Sequence, residues 1–144
     1  MRAILLAAGL GTRLRPLSLE LPKPAMPLGF HTLAGESLRS LLRAGFSQVA
    51  LNAHHLANEL EASIRRDLGD RMALRFYYEP ELLGTAGGIR NIARALGPSD
   101  YLVMNGDSLY LPRLEEAIEA HRRSGAFATL LLREADGKIG RAHV

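Results

Sequence analysis

The apolar positions of this chain alternate between strand patterns and helix patterns. Short apolar runs predict strands over residues 2–8 (RAILLAA), 48–53 (QVALNA), 73–78 (ALRFYY), 101–104 (YLVM) and 126–132 (AFATLLL). Apolar side chains at helical spacing predict helices from Leu33 to about Ala44, from Leu56 through Ile64, from Ile89 to Leu96, and over residues 112–124. This alternation predicts an α/β fold with a doubly wound, mostly parallel sheet.

The segments between these elements also have distinctive patterns. Gly9–Pro16 predicts a loop, and the three prolines of Pro22–Pro27 (PKPAMP) predict a rigid extended stretch without helix. Gly84–Gly88 (GTAGG) predicts a turn that opens a helix. Residues 65–67 (RRD) are expected on the solvent-facing side of the helix that runs through Ile64. Ligands of such sheets bind beyond the carboxyl ends of the strands, so the loops there are the candidate sites.

Composition and charge narrow the function. The 144 residues contain no cysteine, which excludes disulfide frameworks, thiolate metal sites and cysteine nucleophiles. The formal net charge is +3, but residues 1–43 hold six basic and two acidic residues, a local net of +4. This local excess predicts a small anionic ligand near the N-terminus, with no nucleic-acid partner. The first apolar run is too short for a signal peptide or a membrane span, so we expect a cytoplasmic protein without a membrane partner.

The loop after the first predicted strand has the composition of a phosphate site. Gly9, Gly11 and Thr12 are followed by Arg13 and Arg15, and small residues allow successive backbone N–H groups to surround an anion. The dinucleotide fingerprint fails because its third glycine is Leu14 here, and the Gly-Lys-Ser/Thr of a Walker A loop is absent. Only two of the 18 basic residues are lysines, so the lysine at position 23 indicates a specific role.

Three motifs in order identify a family resemblance. LAAGLGTRLRP at residues 6–16 with PKPAMP at 22–27, EPELLGTAGG at 79–88 and Asn-Gly-Asp at 105–107 resemble the sugar nucleotidyltransferases, the nucleoside-diphosphate-sugar pyrophosphorylases. Ser18 replaces the usual threonine. Within the family these segments resemble mannose-1-phosphate guanylyltransferases and N-acetylmuramate-1-phosphate uridylyltransferases. The resemblance implies a Rossmann-like fold, a nucleoside triphosphate and a sugar 1-phosphate as substrates, an NDP-sugar and pyrophosphate as products, and Mg²⁺ as cofactor.

The resemblance also implies residue roles. Gly11, Thr12 and Arg13 would bind the β- and γ-phosphates and Lys23 the α-phosphate, with Arg13 and Lys23 as the catalytic cations. Asp107 would bind Mg²⁺. The base would be bound by the backbone of Ala7, Ala8 and Gly9 and by the turn containing Gly84, Thr85 and Gly87.

Other polar residues are expected to be structural. Adjacent histidines point in different directions and no carboxylate stands at ligand spacing, so His54 and His55 are interpreted as structural. Glu79 and Glu81 are expected at a solvated rim.

Alternatives remain open at this point. They are a non-catalytic relative that binds a nucleotide sugar, a nucleotidyltransferase with a non-sugar acceptor, and a dinucleotide-dependent oxidoreductase.

The last residues of the chain predict a boundary. Residues 139–144 (IGRAHV) follow no strand or helix pattern, and one reverse translation of them resembles the start of a sequencing adapter. We therefore expect residues 1–138 to be the N-terminal part of a nucleotidyltransferase domain, truncated at its C-terminus, and residues 139–144 to be a non-native tail. Family members continue into a half that supplies a second metal-binding aspartate and a sugar-phosphate lysine.

Overall fold

A four-stranded parallel sheet organises the fold of this computed structural model, which describes residues 1–109 and 113–132. The elements in chain order are β1 (Arg2–Leu6), β2 (Pro27–Leu28), β3 (His31–Thr32), α1 (Leu33–Arg43), β4 (Gln48–Ala53), α2 (Ala57–Leu68), β5 (Ala73–Tyr78), α3 (Gly84–Leu96), β6 (Tyr101–Asn105) and α4 (Leu114–Ser124). The strand order in this sheet is β5-β4-β1-β6, and each of its neighbouring pairs is parallel. The short β2 and β3 pair antiparallel in a separate two-stranded sheet. The predicted α/β architecture is confirmed.

Helices cover both faces of this sheet. Ile92 of α3 packs with Ile4 of β1 and Ala50 of β4, which are register partners. Side chains alternate along a strand, so the buried Leu5 and Leu51 point to the opposite face. That face belongs to the layer of α1 and α2, because α1 contacts both β1 and α2. Runs of apolar residues form strands here because both faces are covered.

The chain divides into two compact units, residues 1–112 and residues 113–144. The sheet and its three helices lie in the first unit. The second unit contains α4, which begins two residues later than the helix predicted from residue 112. Residues 110–112 lie outside the described part of the chain.

Two segments expected to lack helix contain single 3₁₀ turns. Thr12–Leu14 forms one within the predicted loop, and Lys23–Ala25 forms another within the predicted extended stretch. The second expectation was wrong because a proline at the start of a helical turn loses no hydrogen bond, and its fixed φ suits the turn. The GTAGG segment likewise forms the first turn of α3 rather than a turn before it.

The predicted strand over residues 126–132 is absent from the described structure. A strand requires a neighbour to pair its backbone groups, and no described strand pairs with this segment. Its side chains are exposed, including Phe127, Leu130 and Leu132. The predicted tail at residues 139–144 lies outside the described residues.

Asp67 was expected on the solvent-facing side of its helix, but its side chain is only 5% exposed. It accepts hydrogen bonds from Thr32 N (2.7 Å) and Thr32 Oγ1 (3.0 Å), and it forms ion pairs with Arg39 (2.8 Å) and His31 (3.0 Å). Burial raises the pKa of Asp67, but the hydrogen bonds outweigh this effect and the net pKa is lowered. Asp67 therefore connects the end of α2 to the start of α1 and to β3.

Candidate active site

A cleft of about 640 Å³ opens at the carboxyl end of β1. The chain runs from β1 outward to β4 and β5 and then returns to β6 on the other side of β1. The loops after β1 and β6 diverge at such a reversal of strand order, which leaves a crevice. The cleft is lined by Leu6, Ala7, Ala8, Gly9, Gly11, Thr12, Arg13, Leu14, Lys23, Pro24, Asn52, Leu82, Gly84, Thr85, Asn105 and Asp107.

The structure brings together all but one of the site residues predicted from the sequence. The exception is Gly87, which does not line the cleft. A β-carbon at this position would lie 2.8 Å from Leu83 Cβ, so crowding within the first turn of α3 accounts for the glycine. A ligand is not needed to explain it.

The loop after β1 folds tightly around Gly11. Gly11 has φ 61°, a left-handed conformation that side chains disfavour, and its carbonyl accepts a hydrogen bond from Leu14 N at 2.9 Å. A β-carbon here would lie 3.2 Å from Lys23 Cβ and 3.3 Å from Ser18 Cβ. Glycine therefore allows this loop to pack directly against the segment that carries Lys23.

The two arginines of this loop are placed differently. Arg13 is exposed and lines the cleft, whereas Arg15 is exposed and does not line it. One arginine of the pair is therefore positioned to meet an anion in the cleft.

Lys23 and Asp107 form an ion pair at the cleft wall. Lys23 Nζ lies 2.8 Å from Asp107 Oδ2, and the two side chains are 28% and 38% exposed. Between β6 and Asp107, Gly106 donates from its N–H to the Leu6 carbonyl at 2.7 Å. That bond ties the β6 loop to β1. A β-carbon at Gly106 would lie 3.2 Å from the same carbonyl, so the close approach favours glycine.

The start of α3 also lines the cleft. Gly84 and Thr85 are among the lining residues, and the first N–H groups of a helix have no partner within the helix. In the loop after β1, Ala7 N donates to Asn52 Oδ1 at 2.7 Å. The Ala7 N–H is thus already paired, and we limit its predicted role in base binding to the remaining backbone atoms.

Glu79 was expected at a solvated rim, and this expectation was wrong. Its side chain is buried at 3% exposure, where Oε1 accepts from Asn52 Nδ2 (2.8 Å) and Oε2 accepts from Leu83 N (3.0 Å). A carboxylate can be buried when donors satisfy its oxygens. Glu81 is exposed, as expected.

His54 and His55 both contact backbone carbonyls. His54 Nδ1 lies 2.7 Å from the Glu79 carbonyl, and His55 Nε2 lies 2.7 Å from the Ser18 carbonyl. These bonds agree with the structural role predicted for both. Among the described residues there is no group of three or more His, Cys, Asp or Glu side chains arranged to hold a metal.

Asn52 was missed by the sequence analysis although it lines the cleft. It is an amide among apolar residues near the end of a buried strand, QVALNA, and it is 4% exposed. A polar side chain on a buried strand needs hydrogen-bond partners. The amide within this apolar run was therefore the sequence feature that could have indicated a specific role for Asn52. Asn105, at the end of β6, was quoted only as part of the Asn-Gly-Asp motif.

Comparison with known proteins identifies the family. A family model described as nucleotidyl transferase matches residues 2–138. The chain belongs to this family. Among curated members it is 34% identical to a UTP–glucose-1-phosphate uridylyltransferase of Synechocystis, covering 91% of this chain and 37% of the relative. It is 40% identical to the N-acetylmuramate alpha-1-phosphate uridylyltransferase of Neisseria meningitidis, covering 76% of this chain and 48% of that protein.

A solved structure shows the same fold. HddC from Yersinia pseudotuberculosis in complex with GMP-PN superposes with a TM-score of 0.73 at 28% identity, covering 83% of this chain and 53% of HddC. This nucleotidyl transferase chain thus spans about half of that structure and less than half of the curated relatives above. No helix in the described part of the chain is long and apolar enough to cross a membrane.

Proposed function

We propose that this chain forms the nucleotide-binding part of an enzyme that transfers a nucleoside monophosphate from an NTP to a sugar 1-phosphate. The observation that carries the proposal is one cleft, at the reversal of strand order, that is lined by a glycine-rich loop with Arg13 and by the Lys23–Asp107 pair. The names of the curated relatives support the reaction class, since both are sugar-1-phosphate nucleotidyltransferases.

The chemistry of this transfer suits these residues. An oxygen of the sugar phosphate forms a bond to the α-phosphorus, the bond from that phosphorus to the bridging oxygen breaks, and pyrophosphate leaves with the electron pair. The attacking oxygen is already an anion, so no general base is required. The demand is for cations that reduce repulsion between two anions and hold them in line.

We assign the phosphate roles on this basis. Arg13, with the backbone of Gly11 and Thr12, would bind the β- and γ-phosphates that depart. Lys23 would contact the α-phosphate, because a compact ammonium can follow the changing geometry at phosphorus better than a planar guanidinium. The base would lie between Ala8–Gly9 and the start of α3 at Gly84 and Thr85.

Magnesium fits one side of this cleft. Asp107 offers a partly exposed carboxylate, and Mg²⁺ is commonly held by one or two carboxylates together with substrate phosphates and water. When bound, Mg²⁺ would neutralise charge on the phosphates. Asp107 is the residue of this chain that we assign to it.

The acceptor and the cellular setting belong to the same proposal. A sugar phosphate is favoured over other acceptors because Leu14-Arg15-Pro16 and Pro22-Lys23-Pro24 accompany the glycine loop, and both relatives above act on sugar phosphates. We place the reaction in the cytoplasm, where nucleoside triphosphates are available.

Nucleotide titration tests the proposal. Calorimetric titration of the chain with UTP, GTP and NADH, with and without Mg²⁺, should show metal-enhanced binding of at least one triphosphate. Arg13→Gln should weaken that binding by about tenfold because a charge-assisted contact is lost, whereas the matched variant Arg15→Gln should stay within about twofold. Stronger binding of NADH without metal, or equal effects of the two arginine variants, would contradict it.

A further inference from the structure

Two buried polar side chains connect two segments at the cleft, the loop after β1 and the start of α3. From the loop after β1, Ala7 N donates to Asn52 Oδ1, and Asn52 Nδ2 donates to Glu79 Oε1. Glu79 Oε2 then accepts from Leu83 N, the residue before α3. We call this chain of three hydrogen bonds the Asn52–Glu79 relay. Each bond is between 2.7 and 3.0 Å long.

The relay is buried, and it provides hydrogen-bond acceptors for two backbone N–H groups that lie outside the strands and helices. Asn52 is 4% exposed and Glu79 is 3% exposed. Ala7 and Leu83 both lie outside the strand and helix hydrogen-bond ladders, because β1 ends at Leu6 and α3 begins at Gly84. Without the relay these two N–H groups would need other partners, which is costly for the buried Ala7.

Neighbouring structure is shaped around the relay. A β-carbon at Gly88 of α3 would lie 2.6 Å from Asn52 Nδ2 and 3.0 Å from Glu79 Oε1, so any larger residue there would push the Asn52 amide out of its present position. His54 Nδ1 contacts the Glu79 carbonyl, and Glu79 N donates to the Ala53 carbonyl at 2.8 Å. The backbone of Glu79 is thus fixed independently of its side chain.

We infer that Asn52 and Glu79 are positioning residues that set the distance between the loop after β1 and the start of α3, the two segments assigned to the nucleotide base. The inference rests on the proposed function, because it concerns how the proposed nucleotide fits. Ala7, Gly84 and Thr85 all line the cleft, and the relay begins at Ala7 and ends at Leu83, next to Gly84. The phosphate side, at Gly11 and Arg13, is supported separately through Ser18, whose carbonyl contacts His55.

Hydrogen-bond polarity provides a sharp test. Asn52→Asp places two carboxylates against each other. Glu79→Gln replaces a carboxylate that accepts two hydrogen bonds with an amide whose NH₂ group faces a donor, because Asn52 Nδ2 and Leu83 N both donate to position 79. The double variant Asn52→Asp/Glu79→Gln reverses the central bond and satisfies every group again. The new carboxylate at position 52 would accept from Ala7 N and from the new amide at position 79, and the oxygen of that amide would accept from Leu83 N. Shape and size are nearly constant throughout.

Two ligands separate a positioning role from a loss of folding. Kd values are measured by calorimetry, well below the unfolding temperature of each variant, for the best-binding Mg²⁺-NTP and for Mg²⁺-tripolyphosphate, which has no base. Each single variant should weaken NTP binding by about tenfold or more and leave tripolyphosphate within about twofold, and the double variant should return NTP binding to within about threefold of the original chain. Amide hydrogen exchange at Ala7 and Leu83 should quicken in the single variants and recover in the double.

The outcomes are distinct. Single variants with unchanged NTP affinity would overturn the inference, as would equal losses for both ligands. A double variant that remains weak while its amide protection recovers would also overturn it, since Asn52 would then contact the base directly. An original chain that binds no triphosphate would overturn the proposed function itself.

Discussion

At the scale of single residues, the Lys23–Asp107 ion pair is the feature that most constrains the chemistry. Each member is assigned to a different partner when nucleotide is present, Lys23 to the α-phosphate and Asp107 to Mg²⁺. In the free protein they lie 2.8 Å apart and neutralise each other. Under the proposed roles, nucleotide binding would exchange one ion pair for two new contacts, and the metal would remove the carboxylate from competition for the lysine.

Asp107→Asn should separate these contributions. Without Mg²⁺, NTP affinity should rise by about two- to fivefold, because a carboxylate that repels phosphate and occupies Lys23 has gone. The enhancement of affinity by Mg²⁺ should fall by about tenfold or more, since a direct metal ligand is lost. Calorimetry at matched ionic strength measures both quantities.

Asp100→Asn is the matched control for that variant. Asp100 is exposed just before β6, whereas Asp107 follows the other end of that strand. It should change neither quantity. An unchanged Mg²⁺ enhancement in Asp107→Asn would contradict the assignment of Asp107 to the metal.

At the scale of elements, all four strands of the parallel sheet were predicted, whereas the 3₁₀ turns of the connections were not. β4 and β5 have the bounds predicted from their apolar runs. β4 is buried at all but its first position, and a strand covered on both faces must be apolar along its length, whereas the edge strand β5 has only half-buried and exposed positions. The 3₁₀ turn at Lys23–Ala25 was missed because the prolines were interpreted only as helix breakers, although a proline can stand in the first turn of a helix. Here the turn is fixed by packing, with Pro24 and Ala25 buried.

Contacts between segments that are distant in sequence explain the remaining differences between the predicted and the observed structure. Residues 126–132 have an apolar pattern but no described partner strand, and a single sequence does not reveal its partner. Asp67 and Glu79 were placed in solvent because charged side chains usually are, whereas both are buried with hydrogen-bond donors contributed by other elements. The cleft residues were predictable because their glycines and cations form local motifs, whereas Asn52 acts only through distant contacts.

The Asp67 contacts predict an acid-sensitive junction of α1, α2 and β3. The pKa of Asp67 is lowered in the folded chain, so its contribution to stability is complete above the unfolded pKa near 4 and is lost as the pH falls through the lower folded value. Asp67→Asn should reduce the free energy of unfolding near pH 7 by about 2–4 kcal/mol, because Arg39 loses its partner in a buried site. It should also flatten the decline below pH 4.

Urea denaturation across a pH series measures this effect. Asp70→Asn is the control, because Asp70 is exposed just beyond α2 and its replacement should change stability by less than about 0.5 kcal/mol. A pH dependence of Asp67→Asn that matches the original chain would show that another carboxylate dominates.

At the scale of the whole molecule, the placement of charge matters more than its total. The net charge is only +3, but the excess lies in residues 1–43, which supply the glycine loop, Arg13 and Lys23 to the cleft. A general positive field would attract any polyanion, whereas a local one favours a ligand whose phosphates reach those groups. A general positive field and a local one predict different effects of salt on nucleotide binding.

Raising the salt concentration from about 50 mM to about 500 mM shortens the screening length from about 14 Å to about 4 Å. The Kd of a triphosphate should therefore rise by about tenfold, and that of the monophosphate with the same base by about twofold, because the extra phosphates lie near Arg13. Arg13→Gln should reduce the salt dependence for the triphosphate. Arg43→Gln, which removes the same charge from the exposed end of α1, should leave the dependence unchanged if local placement governs binding. Equal reductions in both variants would mean that net charge alone attracts the nucleotide, and the assignment of Arg13 to the departing phosphates would fail.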